Sequence, residues 1–348
     1  MAYPLIILGA GASYDYSPSG GLGRIAPLTK DLAEDKFFHP GFLDRYRGAG
    51  NLLLEMIYQV RSNKRGFEEA LTEFLKKSKN SIEMQRRFVS LEFYLRDLFK
   101  EISSPNDTTR KFHQVNNYQG LLNRMDTYAN RQGIVATFNY DSLFENELGL
   151  QQPERMIDYI SNDLKIIKLH GSHDWAYINR QSKTVSDELR NKTSYEKCIA
   201  NPEFFNQIKN GKNEESPPIH EKEFNINSER KHFCLFPALA IPLIGKHKYI
   251  CPERHIRELE QNLKKVDRIL IIGWRAEDPA LLETLKRYLP PEMSYKVLVV
   301  SGTLEGAKKI AKKVQQGLGI VNEFYIQARG DGFSGFIRDE ASHAFFNS

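Results

Sequence analysis

The sequence predicts an α/β fold, a parallel β-sheet covered by helices on both faces, with a helical module inserted into it. Short apolar segments at 5–8, 133–138, 164–169 and 268–273 have the length and composition of strands buried on both faces. Helical segments alternate with strands in the C-terminal third, which favours parallel pairing. Between residues 40 and 130 the apolar residues instead recur every three or four positions, as on one face of a helix.

The elements follow from local signals taken in chain order. The first strand, 5–8, lacks the preceding basic residues of a signal peptide, so we expect it to belong to the sheet. A helical stripe then occurs at Phe88, Leu91, Leu95, Leu98 and Ile102. The two strands at 133–138 and 164–169 are joined by a predicted short helix at 142–149. We therefore predict a sheet domain formed by 1–36 and 131–348, and a helical insertion module at 37–130.

The C-terminal third alternates most clearly between strand and helix. Asp278 and Pro279 are typical of an N-cap and first helical residue, which predicts a helix through Tyr288. The remaining predicted elements are a strand at 295–300, a basic amphipathic helix at 303–318 and a strand at 323–327. By contrast, residues 178–232 are polar and interrupt the sheet domain, so they form a lid, a partner surface or a partly disordered excursion.

Composition excludes several classes of protein. The chain has 348 residues, 11% of them aromatic, a net charge of +5 and three cysteines. The aromatic content argues against disorder, and Cys198, Cys234 and Cys251 are too few and too widely spaced for a disulfide scaffold. No apolar run approaches the roughly 20 residues that span a bilayer. We therefore expect a cytoplasmic protein, and its mildly basic charge suits an anionic small molecule.

The first candidate site follows the first strand, at Gly9-Ala10-Gly11-Ala12-Ser13. Two glycines let the backbone turn tightly and approach a pyrophosphate beside a helix N-terminus. The pattern lacks the third glycine of G-x-G-x-x-G, because Tyr14 occupies that place. An ordinary strand-to-helix turn therefore stays open as the alternative.

The other two candidates also follow predicted strands, where open α/β sheets bind ligands. Asn139 could hold a ribose hydroxyl or a water, whereas Asp141 fits equally well as the cap of the next helix. His170 could act as a base near neutral pH, and Gly171 would let the chain turn away from it. The alternative for His170 is a hydrogen-bonded polar residue without a chemical role.

Two further chemistries are weaker. His170 and His173 are three residues apart, but no H-E-x-x-H or paired C-x-x-C accompanies them, so we do not predict a metal site. A Ser-His-Asp hydrolase would need a G-x-S-x-G turn, which the sequence lacks.

Taken together, the three motifs resemble the signature of the sirtuin family: Gly9-Ala10-Gly11-Ala12-Ser13, Thr137-Phe138-Asn139-Tyr140-Asp141 and Lys168-Leu169-His170-Gly171-Ser172. The resemblance covers nearly the whole chain apart from the two insertions. It is strongest to the sirtuin-like domain of bacterial antiphage defence proteins, which Ile272-Gly273-Trp274 and Gly332-Phe333-Ser334-Gly335-Phe336 also resemble.

This resemblance implies a Rossmann-like NAD-binding domain that hydrolyses NAD to ADP-ribose and nicotinamide in antiviral defence. It implies that His170 is the general base, and that Asn139 acts at the ribose and the reacting centre. The positions implied to bind NAD are Gly9, Ala10, Gly11, Ala12, Ser13, Asp141, Gly273 and Trp274. We expect His170→Ala and Asn139→Ala to nearly silence turnover while the fold survives.

The resemblance also has consequences for metals and partners. Deacetylating sirtuins hold a structural zinc with two C-x-x-C pairs, and three scattered cysteines cannot supply four thiolates, so no zinc is expected. A free NADase would kill its host, so we expect a homo-oligomer and a separately encoded activator, with a translocase-type ATPase of the HerA class as the family-based guess. No membrane partner is expected.

Other functions stay open. The first is an NAD-dependent protein deacylase or ADP-ribosyltransferase, and the second is a non-catalytic sensor of NAD or ADP-ribose. The third is a DNA-binding effector subunit, motivated by the net charge and by a basic stripe at Lys308, Lys309, Lys312 and Lys313. We expect this stripe to be a solvated helix face.

Overall fold

In the computed structural model of the protein, the described residues are 2–16, 26–34, 39–63, 66–78, 81–104, 116–180, 192–200, 217–224, 233–241, 249–290, 295–320 and 326–347. The strands in these ranges are β1 (Pro4–Leu8), β2 (Gly133–Thr137), β3 (Leu164–Lys168), β4 (Gly171–Arg180), β5 (Ile219–His220), β6 (Phe233–Leu239), β7 (Arg268–Ile272), β8 (Lys296–Val300) and β9 (Ile326–Arg329).

The α-helices in the same ranges are α1 (Ala10–Tyr14), α2 (Pro40–Arg45), α3 (Arg47–Asn63), α4 (Phe67–Ser78), α5 (Ile82–Ser103), α6 (Asn117–Ala129), α7 (Leu143–Asn146), α8 (Asp158–Ser161), α9 (Ser194–Ala200), α10 (Glu253–Leu263), α11 (Pro279–Tyr288), α12 (Leu304–Leu318), α13 (Gly332–Arg338) and α14 (Glu340–Asn347). None of the described helices combines the length and the apolar character needed to cross a lipid bilayer.

Six strands form one sheet in the order β3-β2-β1-β7-β8-β9, and every neighbouring pair is parallel. Counted within the sheet, this is the 3-2-1-4-5-6 order of doubly wound α/β folds. Leu8 lies beside Thr137 on one side and Ile272 on the other, and Thr137 lies beside Lys168. The carboxyl ends of four strands therefore meet at one edge, with the topological switch point between β1 and β7. The predicted α/β fold with a parallel sheet is confirmed.

The local signals explain where these elements begin and end. Every residue of β1 and of β7 is buried, as expected for strands covered on both faces. Helix α11 begins at Pro279, and the carboxylate of Asp278 accepts a hydrogen bond from the amide of Leu281, so the predicted cap is confirmed. Helix α12 is capped by Thr303 and ends before Gly319, whose φ is 71°.

Two elements differ from the prediction by more than one residue at an end. Strand β9 covers Ile326–Arg329, two residues beyond the predicted end, while 323–325 lie outside the described residues. Helix α7 covers only Leu143–Asn146, and the chain continues as a 3₁₀ turn at Gly149–Gln151. Both differences lie at the ends of short elements, and the spacing of apolar residues does not fix such ends to a single residue.

The described chain forms two compact units. Unit 1 contains the six-stranded sheet and consists of Met1–Ala26, Ile102–His170 and His247–Ser348. Unit 2 consists of Pro27–Glu101 and Gly171–Lys246, so it joins most of the helical insertion to a later part of the chain. The domain boundaries drawn from the sequence, 1–36 with 131–348 against 37–130, stay a prediction.

Unit 2 contains a small antiparallel sheet, β5-β4-β6, that was not predicted from the sequence. Its strands β4 and β6 pair Tyr177 with Phe236, although these residues are 59 positions apart in the chain. The Phe236 ring lies 5.9 Å from that of Phe93 on α5, so helices and sheet share a core. Of the polar excursion predicted at 178–232, residues 181–191, 201–216 and 225–232 lie outside the described residues.

Candidate functional site

The glycine turn after β1 packs against the chain that follows β7, on the other side of the switch point. The Gly9 amide donates to the carbonyl of Ile272 at 2.9 Å, and the Gly11 amide donates to that of Gly273 at 3.2 Å. A Cβ on Gly9 would lie 2.4 Å from the Gly273 oxygen. Gly273 has a φ of +65°, and a Cβ there would lie 2.4 Å from the Ala12 nitrogen. Backbone contact alone therefore requires these glycines, whatever else the turn binds.

Ser13, on α1, is the centre of a buried hydrogen-bond network. Its hydroxyl donates to Asp141 Oδ1 at 3.0 Å and accepts from Asn139 Nδ2 at 2.9 Å. The Tyr118 hydroxyl lies 2.8 Å from Ser13 Oγ, and since the Ser13 proton is used, Tyr118 is the donor. All four side chains are buried. The second motif is thereby tied to the first, and to a helix, α6, that the sequence did not connect with either.

Asn139 has one end satisfied and the other not. Its amide nitrogen donates to Ser13 Oγ and, at 3.3 Å, to the Tyr118 hydroxyl, which fixes the plane of the carboxamide. Its Oδ1 is buried, since the residue is only 7% exposed, yet it accepts no hydrogen bond from the described residues. A buried acceptor without a donor costs about 1–3 kcal/mol. Such an atom in a folded protein marks a place where a ligand or water donates.

Asp141 has contacts that fit both interpretations left open by the sequence. Its Oδ1 accepts from the amide of Leu143 at 3.2 Å, which closes a turn just before α7, although the N-cap position itself is Ser142 and not Asp141 as the sequence had suggested. The same oxygen accepts from Ser13 within the network. Burial raises the pKa of the Asp141 carboxyl above its usual value, and the nearby Lys168 ammonium opposes that rise.

Lys168 ends β3 and lies beneath this network. It is fully buried, and its Nζ donates to the main-chain oxygen of Asp141 and to Glu145 Oε1, each at 2.6 Å. The ion pair with Glu145 therefore holds the loop after β2 against the end of β3. A buried ion pair of this kind is costly to break, because the remaining charge has no water to solvate it.

His170 follows β3 in a more open environment. The Leu169 amide continues the strand pairing by donating to the Thr137 carbonyl at 2.9 Å, and Gly171 has a φ of +77°. The imidazole packs edge-to-face on Phe138 with centroids 4.8 Å apart. Its side chain is 25% exposed, and Nε2 lies 3.9 Å from Asp278 Oδ2.

The structure brings the predicted site residues of unit 1 to one edge of its sheet. Asn139 and His170 each follow strands that pair in register, and Phe138 between them also stacks on Trp274 with centroids 5.4 Å apart. Gly273 and Trp274 join this edge from β7, although Trp274 is mostly buried. These positions make binding and acid–base chemistry geometrically feasible; the roles assigned to the residues stay predictions.

Three residues at this edge were missed or given no role by the sequence analysis. Tyr118 is one aromatic residue within a helical stripe, so no local signal distinguishes it. Lys168 does carry a signal, because a lysine ending an apolar strand must find a partner when the strand is buried. Asp278 was identified only as a helix cap.

Metal binding finds no support among the described residues. No group of three or more His, Cys, Asp or Glu side chains is placed to hold a metal ion in the ranges that the structure covers. The three cysteines are buried, free thiols. The expectation that the protein holds no zinc stays a prediction.

Comparison with known proteins gives structural likeness without close sequence relatives. No protein-family model and no curated protein matches the sequence. A structure of Sir2 with the inhibitor EX-527, 2'-O-acetyl-ADP-ribose and deacetylated p53 peptide matches with 14% identity and a TM-score of 0.40, covering 99% of this chain and 94% of that one. A Sir2 homolog–NAD complex matches with 11% identity and a TM-score of 0.34, covering 92% and 91%. The chain is thus similar to Sir2 proteins over nearly its whole length, at a level that does not establish its family.

Proposed function

We propose that the protein is an NAD glycohydrolase, which cleaves NAD to ADP-ribose and nicotinamide. One observation carries the proposal: a buried carboxamide with an unsatisfied oxygen, Asn139, and a partly exposed imidazole beside a carboxylate, His170, follow paired strands of a doubly wound sheet. Ligands of such sheets bind at the carboxyl ends of the strands near the switch point. The likeness of the three motifs to those of sirtuins supports NAD as the ligand.

The chemistry needs few groups from the protein. Nicotinamide departs as a neutral molecule from a cationic pyridinium, while the ribose carbon gains oxocarbenium character as in other glycosyl transfers. Water then adds to that carbon and loses a proton, so NAD and water give ADP-ribose, nicotinamide and a proton. Asn139 Oδ1 accepts a hydrogen bond from a ribose hydroxyl, and His170 takes the proton from water, directly or through such a hydroxyl.

We assign binding of the pyrophosphate and a ribose of NAD to nearby main-chain segments. The Gly9–Ser13 turn lies at the switch point, and its close packing on Gly273 leaves no side chain between the two segments. Main-chain amides in such a turn bind the pyrophosphate, and Gly273 with Trp274 binds a ribose. Asp141 has a supporting role, since its carboxylate holds Ser13 and through it the carboxamide of Asn139.

Product analysis tests this function against the rival enzyme class. Purified protein incubated with NAD and the protein encoded beside it, without acetylated peptide, is expected to release nicotinamide and ADP-ribose in equal amounts. Formation of acyl-ADP-ribose only when acetylated peptide is added would instead identify a deacylase. Labelling of an added protein with ADP-ribose would identify a transferase.

The non-catalytic alternatives give different outcomes in the same experiment. NAD binding without nicotinamide release, even in the presence of the protein encoded beside it, would identify a sensor. Salt-dependent binding to DNA without NAD turnover would favour a nucleic-acid-binding subunit. The basic stripe has an ordinary explanation at one of its members, because Lys313 pairs with Glu277 at 2.9 Å.

The biological setting is part of the proposal. Uncontrolled NAD hydrolysis is lethal, so the activity serves antiphage defence only if a trigger releases it. We place that control in a homo-oligomer and in a separately encoded activator, for which a HerA-class translocase ATPase is the candidate. Nicotinamide release should therefore rise when the neighbouring gene product is added, and full activity of an isolated monomer would contradict this part.

A further inference from the structure

The carboxylate of Asp278 performs two tasks that the sequence presents as one. Its Oδ1 accepts from the Leu281 amide at 2.7 Å and so caps α11. Because that bond fixes one oxygen, the other oxygen, Oδ2, is held toward His170 Nε2 at 3.9 Å. A helix cap alone does not require a histidine opposite it.

We propose that Asp278 is a positioning residue for His170, orienting its imidazole and stabilising the protonated ring that forms when it accepts a proton. The inference rests on the proposed function, in which His170 is the general base. The separation of 3.9 Å is too long for a hydrogen bond and acts through charge. Contacts of this kind are often long before substrate binds and shorten in the complex.

The groups that face His170 support this assignment. Phe138, after β2, packs T-shaped against the imidazole with centroids 4.8 Å apart and so limits how the ring can turn. Tyr140, from the same loop, stacks on the imidazole with centroids 6.4 Å apart. The Tyr249 hydroxyl lies 3.5 Å from Asp278 Oδ1, and burial raises the pKa of Tyr249, so it stays neutral. Asp278 supplies the carboxylate that faces the ring, from the other side of the switch point.

Asparagine at this position separates the two tasks. Asn caps helices as well as Asp does, so Asp278→Asn keeps the Leu281 bond and removes only the charge. Asp278→Ala removes both. Thr303→Ala removes the cap of α12, in which the Thr303 hydroxyl accepts from the Gly306 amide at 3.1 Å, and it changes no charge. Asp278→Asn should thus unfold at the wild-type temperature, whereas Asp278→Ala and Thr303→Ala should both unfold at lower temperatures.

Nuclear magnetic resonance (NMR) titration of histidine-labelled protein tests the coupling without reference to any reaction. The His170 signal is identified by its absence from the spectrum of His170→Gln. We expect the pKa of His170 to be lower in Asp278→Asn by about one unit, because an opposite charge within a few ångströms favours the charged form. Thr303→Ala should leave it unchanged. An unchanged pKa of His170 in Asp278→Asn overturns the inference.

The pH profile of nicotinamide release then tests the role in catalysis, with wild type and variants assayed under the same activating conditions. We expect kcat of Asp278→Asn to fall about 10–100-fold, the loss typical when the partner that orients a metal-bound histidine is removed. The acid limb of the profile should move to lower pH, because an imidazole with a lower pKa stays unprotonated down to a lower pH. An unchanged kcat and profile overturn the positioning role. If wild type releases no nicotinamide, the proposed function fails, whereas the NMR comparison still decides whether Asp278 acts on His170.

Discussion

Asn139 and His170 follow neighbouring strands in register, yet their surroundings differ. Asn139 is buried, and both hydrogens of its amide are bonded to Ser13 and Tyr118. His170 is partly exposed, packs T-shaped against Phe138, and has the Asp278 carboxylate 3.9 Å from its Nε2. Asn139 is thus part of a buried hydrogen-bond network, whereas the His170 side chain is partly exposed at the edge of the sheet.

Residues at equivalent places in a sheet can therefore differ in how much stability is lost when they are mutated. The expectation that the fold survives removal of either side chain stays a prediction, and we expect the two removals to differ in cost. The His170 side chain is 25% exposed, so its removal disturbs little of the core. Removal of the Asn139 side chain should cost more stability, because it leaves polar groups of Ser13 and Tyr118 buried with fewer partners. Activity lost in Asn139→Ala therefore needs a stability measurement beside it.

The largest loss of stability is expected at Lys168, which lies beneath the buried network around Asn139. Lys168→Met leaves the Glu145 carboxylate buried without its cation, so the free energy of unfolding should fall by about 3–5 kcal/mol. Urea unfolding measures this. The double variant Lys168→Met/Glu145→Leu removes both charges and should recover most of the loss. A loss below about 1 kcal/mol in the single variant, the range of exposed pairs, would show that the pair is not buried in solution.

A second histidine of unit 1, His255, sharpens the comparison with His170. It is buried, its Nε2 lies 2.9 Å from the Met156 carbonyl, and burial lowers its pKa from 6.5 to about 4. Between these two pKa values His255 is protonated in the unfolded chain but neutral in the folded chain. The free energy of unfolding therefore falls as the pH falls. The contribution reaches about 3 kcal/mol below the folded pKa.

Urea unfolding of wild type and His255→Gln over the range from about pH 7 to about pH 4 measures this contribution. The free energy of unfolding of His255→Gln should depend less on pH than that of wild type, so the two values should converge or cross as the pH falls. His170→Gln is the matched control, and it should keep the acid loss of wild type. If His255→Gln also kept it, His255 would not be buried as a neutral ring.

The comparison itself is tested by the two alanine variants. Asn139→Ala should lower the free energy of unfolding by about 1–3 kcal/mol, since hydrogen bonds within a buried network are lost. His170→Ala should change it by about 0.5 kcal/mol or less, as at other sites near the surface. Equal losses in the two variants, measured by urea unfolding, would contradict the contrast drawn between them.

Much of the fold could be predicted because its strands are buried on both faces. Apolar runs such as 268–272 identify a parallel sheet by themselves, and Asp278 with Pro279 marks where α11 begins. The antiparallel sheet of unit 2 could not be predicted in the same way. Its strand β4 begins at Gly171, within the third motif, and pairs with a strand far along the chain. No local sequence pattern indicates such a pairing.

The candidate site was predictable in part for a similar reason. Residues that end parallel strands converge at one edge, so the topology alone places Asn139 and His170 as neighbours. The sequence could not show that Tyr118 of α6 bonds to Ser13, because that contact depends on how a helix packs. Nor could it show that the cap Asp278 also faces His170, which requires the positions of both loops.

The most direct test of the account is nicotinamide release from NAD by wild type and by His170→Gln, each assayed with the protein encoded beside it. General-base help contributes about 10²–10⁴-fold, so the variant should lose activity by that factor while it unfolds at the same urea concentration as wild type. Release at the wild-type rate by a folded His170→Gln protein would contradict the central claim that this imidazole takes part in cleaving NAD.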